Sequence, residues 1–189
     1  MSQPIEFHIC IIGCSGVGKS SIMDRITTGL WTSRHVPTTD LVQHTLIYHT
    51  NEGIIRCTVT EHNEIDNNDK TEQYLKADAF IGIVDKCDPY SQIWMVSEIQ
   101  KITTMRNATP VMEVGANKSD KKINKKTQAQ SNWQTLFPAA MKCSAKNNYL
   151  LDDLFVSVFK QLTGKPDLQL VEPPPIAPPE VDIVPNVMV

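Results

Sequence analysis

Residues 13 to 20 read GCSGVGKS, a glycine-rich turn between a strand pattern and a helix pattern. The apolar run IEFHICII precedes it at residues 5 to 12, and SSIMDRITTG follows at residues 20 to 29, with Gly29 placed to end a helix. A loop in this position can point backbone N–H groups at an anion, and the dipole of the following helix adds positive potential. In this context G-x-x-x-x-G-K-S predicts a phosphate-binding loop, with a chance glycine-rich turn as the alternative.

Two side chains at the end of this loop suit a nucleotide that is bound with a divalent cation. Lys19 can neutralise charge on the β- and γ-phosphates, and the hydroxyl of Ser20 can take one position around Mg²⁺. We therefore expect a bound nucleoside diphosphate or triphosphate together with Mg²⁺.

The rest of the chain alternates between strand and helix patterns. Strand patterns cover residues 41 to 50, 54 to 60, 79 to 85 and 111 to 116, and helix patterns cover residues 89 to 103 and 149 to 164. Asn51-Glu52-Gly53 reads as a three-residue hairpin connection between the first two of these strands. Apolar residues recur at helical spacing in the first of these helices, at Ile93, Val96, Ile99 and Ile102. This order predicts an α/β fold with one antiparallel hairpin in a mostly parallel sheet.

The composition of the chain indicates which classes of partner it can bind and in which kind of cellular compartment it functions. A chain of 189 residues can form one α/β domain, and its formal net charge of -3 gives no general attraction to nucleic acid or to an anionic membrane. The five cysteines are odd in number and form no C-x-x-C pair, which suits a reducing compartment. The sequence contains no signal-like segment and no apolar run of membrane length. We expect a soluble intracellular protein with no membrane anchor and no nucleic-acid partner.

Residues 166 to 189 differ in character from the rest of the chain. They carry seven of the twelve prolines, and proline-rich sequence favours extended chain over helix. This change predicts a domain over residues 1 to 165 followed by a proline-rich tail. A disordered end and a docked segment are both compatible with the composition.

Two polar turns narrow the identity of the base. NKSD, residues 117 to 120, follows a strand pattern, so Asp120 falls at the carboxyl edge of the sheet, where α/β folds bind ligands. A carboxylate there can accept hydrogen bonds from N1–H and the exocyclic amine of guanine, a donor pair that adenine does not present at that edge. CSAKN, residues 143 to 147, precedes the last helix pattern and can bring a backbone N–H to the guanine O6. Taken alone, NKSD would be an ordinary polar turn.

In this order, GCSGVGKS, NKSD and SAK resemble the guanine-nucleotide motifs of the Ras superfamily of small GTPases. HTNEG at residues 49 to 53, KADAF at 76 to 80, SAKNNY at 144 to 149 and LTGKPDLQLVEPPPIAPPEV at 162 to 181 are similar to the Ran branch. The sequence ends at Val189, before the C-terminal helix and acidic end that Ran carries. The resemblance implies the P-loop G-domain fold: a six-stranded, mostly parallel sheet with one antiparallel hairpin, and about five helices.

The Ran resemblance also implies a function and partners. It implies a monomeric nucleocytoplasmic transport GTPase that binds GTP or GDP with Mg²⁺ in the nucleus and the cytoplasm. The implied protein partners are importin- and exportin-type transport receptors, an exchange factor and a GTPase-activating protein (GAP).

The resemblance assigns individual residues to the nucleotide site. It places the phosphates against Ser15, Gly16, Val17, Gly18, Lys19, Ser20 and Ser21. It places the base against Trp31, Asn117, Lys118, Asp120, Ser144, Ala145 and Lys146. Ser20 and Thr38, the latter in VPTT, would be the two protein ligands of Mg²⁺. For Trp31, a surface anchor is the alternative.

Residues 61 to 65 depart from the pattern D-x-x-G-Q that the family has at this position. Glu61, Glu64 and Ile65 stand in the places of its Asp, Gly and Gln. An isoleucine side chain neither donates nor accepts a hydrogen bond, so it cannot hold the attacking water in line. We therefore assign no catalytic residue and expect intrinsic and GAP-stimulated hydrolysis to be weak or absent.

The two glutamates leave the preferred nucleotide state open. Glu64 brings a negative charge to the place where the family has a glycine near the γ-phosphate, and the two charges repel each other. Glu61 keeps the charge of the family Asp but is one methylene longer. Lost hydrolysis would leave the protein loaded with GTP, whereas a loop that cannot close on the γ-phosphate would favour GDP.

Three hypotheses follow from the sequence. The leading one is a Ran-like guanine-nucleotide-binding protein with weak or absent hydrolysis. The alternative is a working GTPase switch in nuclear transport, in which another group such as His62 positions the water. A P-loop small-molecule kinase is disfavoured by NKSD and SAK and by the lack of a lid-like run of arginines.

Overall fold

A computed structural model describes residues 3–33, 42–62, 71–122 and 131–173. The strands are β1 (Ile5–Ile12), β2 (Val42–Thr50), β3 (Gly53–Glu61), β4 (Ala79–Asp85), β5 (Val111–Asn117) and β6 (Met141–Lys142). The helices in these ranges are α1 (Lys19–Thr28), α2 (Thr71–Lys76), α3 (Pro89–Arg106), α4 (Trp133–Leu136) and α5 (Leu151–Thr163). Among these described helices, none has the length and apolar character that crossing a membrane requires.

The strand order in the sheet is β2-β3-β1-β4-β5-β6, and every neighbouring pair is parallel except β2 with β3. This sheet, together with the five helices of the described ranges, confirms the predicted α/β fold. Every residue of β4 is buried, as is typical of a central parallel strand that is covered on both faces. The carboxyl ends of β1, β3, β4 and β5 meet at one edge of the sheet, where α/β folds bind ligands.

The hairpin between β2 and β3 is tighter than the sequence predicted. Thr50 pairs with Gly53, so the connection contains only Asn51 and Glu52. Gly53 has a φ of 114°, a conformation that favours glycine and lets this residue join the strand. The Thr50 hydroxyl closes the turn, because it donates to the Gly53 carbonyl at 2.7 Å and accepts from the Glu52 N–H at 3.2 Å.

The last helix, predicted over residues 149 to 164, packs its apolar face against the sheet. The buried residues of α5 are Leu151, Leu154, Phe155, Val158 and Phe159. Tyr48 of β2 lies between two of them, with ring centroids 5.6 Å from Phe155 and 5.2 Å from Phe159. Aromatic contacts of this kind stabilise the packing beyond the burial of their area.

Helix α3 buries polar as well as apolar residues. Its buried residues are Ser91, Gln92, Met95, Glu98 and Ile102. Of the apolar residues that recur at helical spacing, Ile102 is buried, whereas Ile93 is 64% exposed. Two of the buried polar residues have partners in other elements, since the Ser91 hydroxyl accepts from the Asp85 N–H at 3.0 Å and Glu98 accepts from the Tyr74 hydroxyl at 2.8 Å.

The segment after α5 contacts the β2–β3 hairpin. The Asn51 side chain donates to the Asp167 carbonyl at 3.1 Å and accepts from the Gln169 N–H at 3.0 Å. Leu168, between these two residues, is 1% exposed. The start of the predicted tail is therefore docked, while the division of the chain at residue 165 stays a prediction.

Leu168→Ala measures what this segment contributes to the fold, with Leu170→Ala as its matched control. Leu168 is buried and Leu170 is 38% exposed. We expect Leu168→Ala to lower the free energy of unfolding by about 2–4 kcal/mol, because it leaves a cavity. Leu170→Ala should cost less than about 1 kcal/mol. Chemical denaturation measures both, and equally small effects would contradict the docking.

Candidate functional site

The loop between β1 and α1 requires glycine at two positions for different reasons. Gly16 and Gly18 have φ values of 78° and 102°, in the left-handed region. A Cβ on Gly18 would lie 2.5 Å from Nδ2 of Asn117, whereas a Cβ on Gly16 would have no atom within 4 Å. Gly16 is therefore needed for its backbone conformation, and Gly18 also for the close approach of Asn117.

Lys19 and the start of α1 give this loop a positive character. The Lys19 side chain is buried, and its Nζ donates to the carbonyls of Gly13 at 2.8 Å and Cys14 at 3.1 Å. Helix α1 begins after Gly18 without a side-chain cap, and its first turn contains no acidic residue. Backbone amides at a helix start and an ammonium group thus share one loop, an arrangement that attracts anions.

The Asn117 side chain connects three segments at this edge of the sheet. Asn117 ends β5 and is 1% exposed. Its Nδ2 donates to the Val17 carbonyl at 2.9 Å, and its Oδ1 accepts from the Ala145 N–H at 3.2 Å. Both sides of the buried amide are thereby satisfied. This side chain thus links the predicted phosphate loop and the SAK turn to the start of NKSD.

The two charged side chains of NKSD each have a partner in another loop. Lys118 Nζ donates to the Gly16 carbonyl at 2.6 Å and lies 2.8 Å from Oδ2 of Asp85. The Ser144 hydroxyl donates to Oδ1 of Asp120 at 2.7 Å. The lysine is thus held against the phosphate loop, and the aspartate against the SAK turn.

Trp31, which follows α1 in the chain, lies beside the SAK turn. Its side chain is partly exposed, and Lys146 Nζ lies 5.5 Å from the centre of its ring, a cation–π contact. The Arg25 guanidinium donates to the Lys146 carbonyl at 3.3 Å. Trp31 therefore contacts one of the predicted base-site residues, and its role at the base stays a prediction.

These contacts bring GCSGVGKS, NKSD and SAK together at one edge of the sheet. The sequence matches the family model of the Ras family over residues 8–164, from β1 to the end of α5. The chain belongs to the Ras family. It therefore carries a small GTPase domain, which implies GTP binding. Ras-family GTPases in general bind GTP or GDP with Mg²⁺ and interact with regulators.

In this Ras-family chain, the side chain of Ser20, one of the two expected Mg²⁺ ligands, contacts Glu61. The Ser20 hydroxyl donates to Oε2 of Glu61 at 2.7 Å, and Glu61 is 2% exposed. Glu61 ends β3, whose parallel pairing with β1 puts it beside the strand that leads into the phosphate loop. Hydroxyl and carboxylate oxygens are the hard donors that Mg²⁺ prefers, so these residues fit the ion. Thr38, Glu64 and Ile65 lie outside the described residues.

His62, the alternative candidate for positioning water, packs against α2. It is buried, and its ring centroid lies 5.1 Å from that of Tyr74 of α2 in an edge-to-face contact. Its backbone N–H donates to the Ile11 carbonyl at 3.0 Å. Its role in hydrolysis stays a prediction.

Sequence reasoning missed two residues of this site, Asp85 and His44. Asp85 ends β4 at the same edge as Lys118, and its place at a strand end was the available signal. His44 Nε2 donates to Oε1 of Glu61 at 2.8 Å, a contact that only the strand register could have indicated.

Burial and the charge of Asp85 raise the pKa of the Cys87 thiol, which disfavours a nucleophilic thiolate at this edge.

Gly18→Ala and Gly16→Ala separate backbone conformation from close approach. Both place an alanine in the left-handed region, which costs about 1–2 kcal/mol. Only Gly18→Ala also drives a Cβ against Asn117, which should add about 1–3 kcal/mol. Chemical denaturation of the nucleotide-free protein in EDTA measures the difference. An equal cost for the two variants would contradict the contact with Asn117.

Proposed function

We propose that this Ras-family chain is a Ran-like guanine-nucleotide-binding protein whose intrinsic and GAP-stimulated hydrolysis is weak or absent. The observation that carries the binding is the Asn117 side chain, which joins the Val17 carbonyl to the Ala145 N–H. A nucleotide extends from its base to its phosphates, so both ends of its site must be held at a fixed separation. The Asn117 contacts support such a site because they couple the phosphate loop to the SAK turn.

Each motif has a defined role in the proposed complex. The backbone amides of residues 15 to 21 bind the phosphates, and Lys19 supplies positive charge. Ser20 and Thr38 would hold Mg²⁺, which when bound neutralises phosphate charge. Asp120 accepts the two guanine donors, while Lys118 and Trp31 flank the base. The hydrogen bond from Ser144 supports this role for Asp120, because it orients the carboxylate.

The proposed weakness in hydrolysis comes from the residues that follow β3. Ile65 has no polar side-chain atom where the family pattern has the glutamine that orients water. His62, the alternative candidate for orienting the water, has its ring packed against Tyr74. The motifs of the proposed guanine site therefore keep the family pattern, whereas the residues that would promote hydrolysis depart from it.

The Ran-like part of the proposal is supported by a contact between the two stretches that most resemble Ran. Asn51 belongs to HTNEG, and its side chain bonds to Asp167 and Gln169 of the segment that runs toward APPEV. We propose a domain over residues 1 to 165 with a proline-rich tail whose first residues dock on the hairpin. By this likeness the partners are importin- or exportin-type receptors, an exchange factor and a GAP, in the nucleus and the cytoplasm.

Asp120→Asn tests the recognition of guanine. The amide replaces one acceptor by a donor, so it can keep the hydrogen bond to N1–H but loses the one to the exocyclic amine. We expect the affinity for GDP to fall about 100-fold, since hydrogen bonds to a charged group contribute about 1.5–3 kcal/mol each. The same variant should gain affinity for xanthosine diphosphate, whose C2 carbonyl accepts from the amide. Fluorescent-nucleotide titration measures both, and adenine nucleotide in the purified protein would contradict the proposal.

Ile65→Gln tests the missing water-positioning group, with Ile65→Leu as the apolar control. We expect single-turnover GTP hydrolysis to be slow in the unmodified protein and in Ile65→Leu. Ile65→Gln should be faster, and the gain should grow when a GAP is added, since GAP assistance in this superfamily reaches about 10⁵-fold. A hydrolysis rate typical of the family in the unmodified protein would contradict impaired hydrolysis without affecting the guanine-binding claim.

A further inference from the structure

The carboxylate of Glu61 lies between two side chains from different elements. Its Oε2 accepts from the Ser20 hydroxyl of α1 at 2.7 Å, and its Oε1 accepts from Nε2 of His44 on β2 at 2.8 Å. Glu61 is 2% exposed, while the His44 side chain is 18% exposed. Both oxygens of this nearly buried carboxylate are thus hydrogen-bonded, one to Ser20 and the other to His44.

The strand register explains why His44 reaches this carboxylate. His44 pairs with Val59, and Glu61 is two residues further along β3, so their side chains share a face of the sheet as a diagonal pair. A glutamate has one more rotatable bond than the aspartate of the family pattern, so a further contact helps to hold its carboxylate in one orientation. His44 supplies that contact.

We propose that His44 is a positioning residue for the Mg²⁺ site, because it holds the Glu61 carboxylate against Ser20. This inference rests on the proposed nucleotide binding and assigns a role that the family motifs do not contain. Partners behind a metal site orient the groups in contact with the ion, and their loss typically lowers metal affinity by about 10–100-fold. Without the N–H of His44, Oε1 of Glu61 would be left buried without this donor, and the carboxylate would turn toward solvent.

A near-isosteric pair of substitutions isolates the hydrogen bond from the volume of the side chain. His44→Gln keeps an N–H donor at this position, whereas His44→Met has a similar size and no donor. Thr45→Ala is the control on the same strand, since Thr45 is exposed and its side chain points to the opposite face. All three variants are first compared with the unmodified protein by thermal unfolding.

The measurement is the dissociation rate of a fluorescent GDP analogue over a series of free Mg²⁺ concentrations and in excess EDTA. We expect His44→Met to raise the Mg²⁺ concentration that half-slows release by about tenfold. Its rate in EDTA should match that of the unmodified protein. His44→Gln should stay close to the unmodified protein, and Thr45→Ala should show no change.

The outcomes separate this inference from the proposed function on which it rests. An unchanged Mg²⁺ midpoint in His44→Met, with normal GDP binding, would overturn the role of His44 alone. Equal acceleration of release in Mg²⁺ and in EDTA, or equal shifts for Gln and Met, would also overturn it, because either pattern reports a general packing effect. Failure of the unmodified protein to bind guanine nucleotide at all would overturn the proposed function, and the role of His44 with it.

Discussion

The buried amide of Asn117 is the contact on which the arrangement of the loops at the sheet edge depends. A buried amide that loses one partner keeps a desolvated polar atom, so both of its hydrogen bonds favour the same arrangement. Those partners are the Val17 carbonyl and the Ala145 N–H. The hydrogen bonds of one side chain therefore hold two loops that are distant in sequence next to each other. Gly18 permits the approach, since any Cβ there would strike Nδ2. The motif glycine and the motif asparagine therefore act as one unit.

Features that depend on short stretches of chain were predictable from the sequence. The helix after the phosphate loop was predicted over residues 20 to 29 and runs from Lys19 to Thr28. Its bounds follow from a glycine on each side, Gly18 and Gly29, both with positive φ. The hydrophobic face of α5 was also predictable, because apolar residues recur along this helix at helical spacing. In both cases neighbouring residues contain most of the information.

Features that depend on how elements meet could not be predicted in this way. The apolar spacing in α3 did not indicate that Ser91 and Glu98 are buried, because their polar partners lie in other elements. The register of the β2–β3 hairpin is a second feature of this kind. With the predicted three-residue connection, Thr50 would pair with residue 54 and His44 would pair with residue 60, which puts Glu61 on the opposite face. A shift of one residue in register thus decides whether the contact between His44 and Glu61 exists.

The placement of the loops separates the residues of the proposed guanine site from those that would place water. Most of the proposed base and phosphate contacts come from the loops after β1, β5 and β6, which Asn117 and Lys118 join. The residues that would sense the γ-phosphate and place water follow β3. Among the side-chain contacts described at its end, Glu61 bonds to His44 and Ser20, and neither bond involves Asn117. Substitutions after Glu61 can therefore remove water positioning while the contacts that define the guanine site persist.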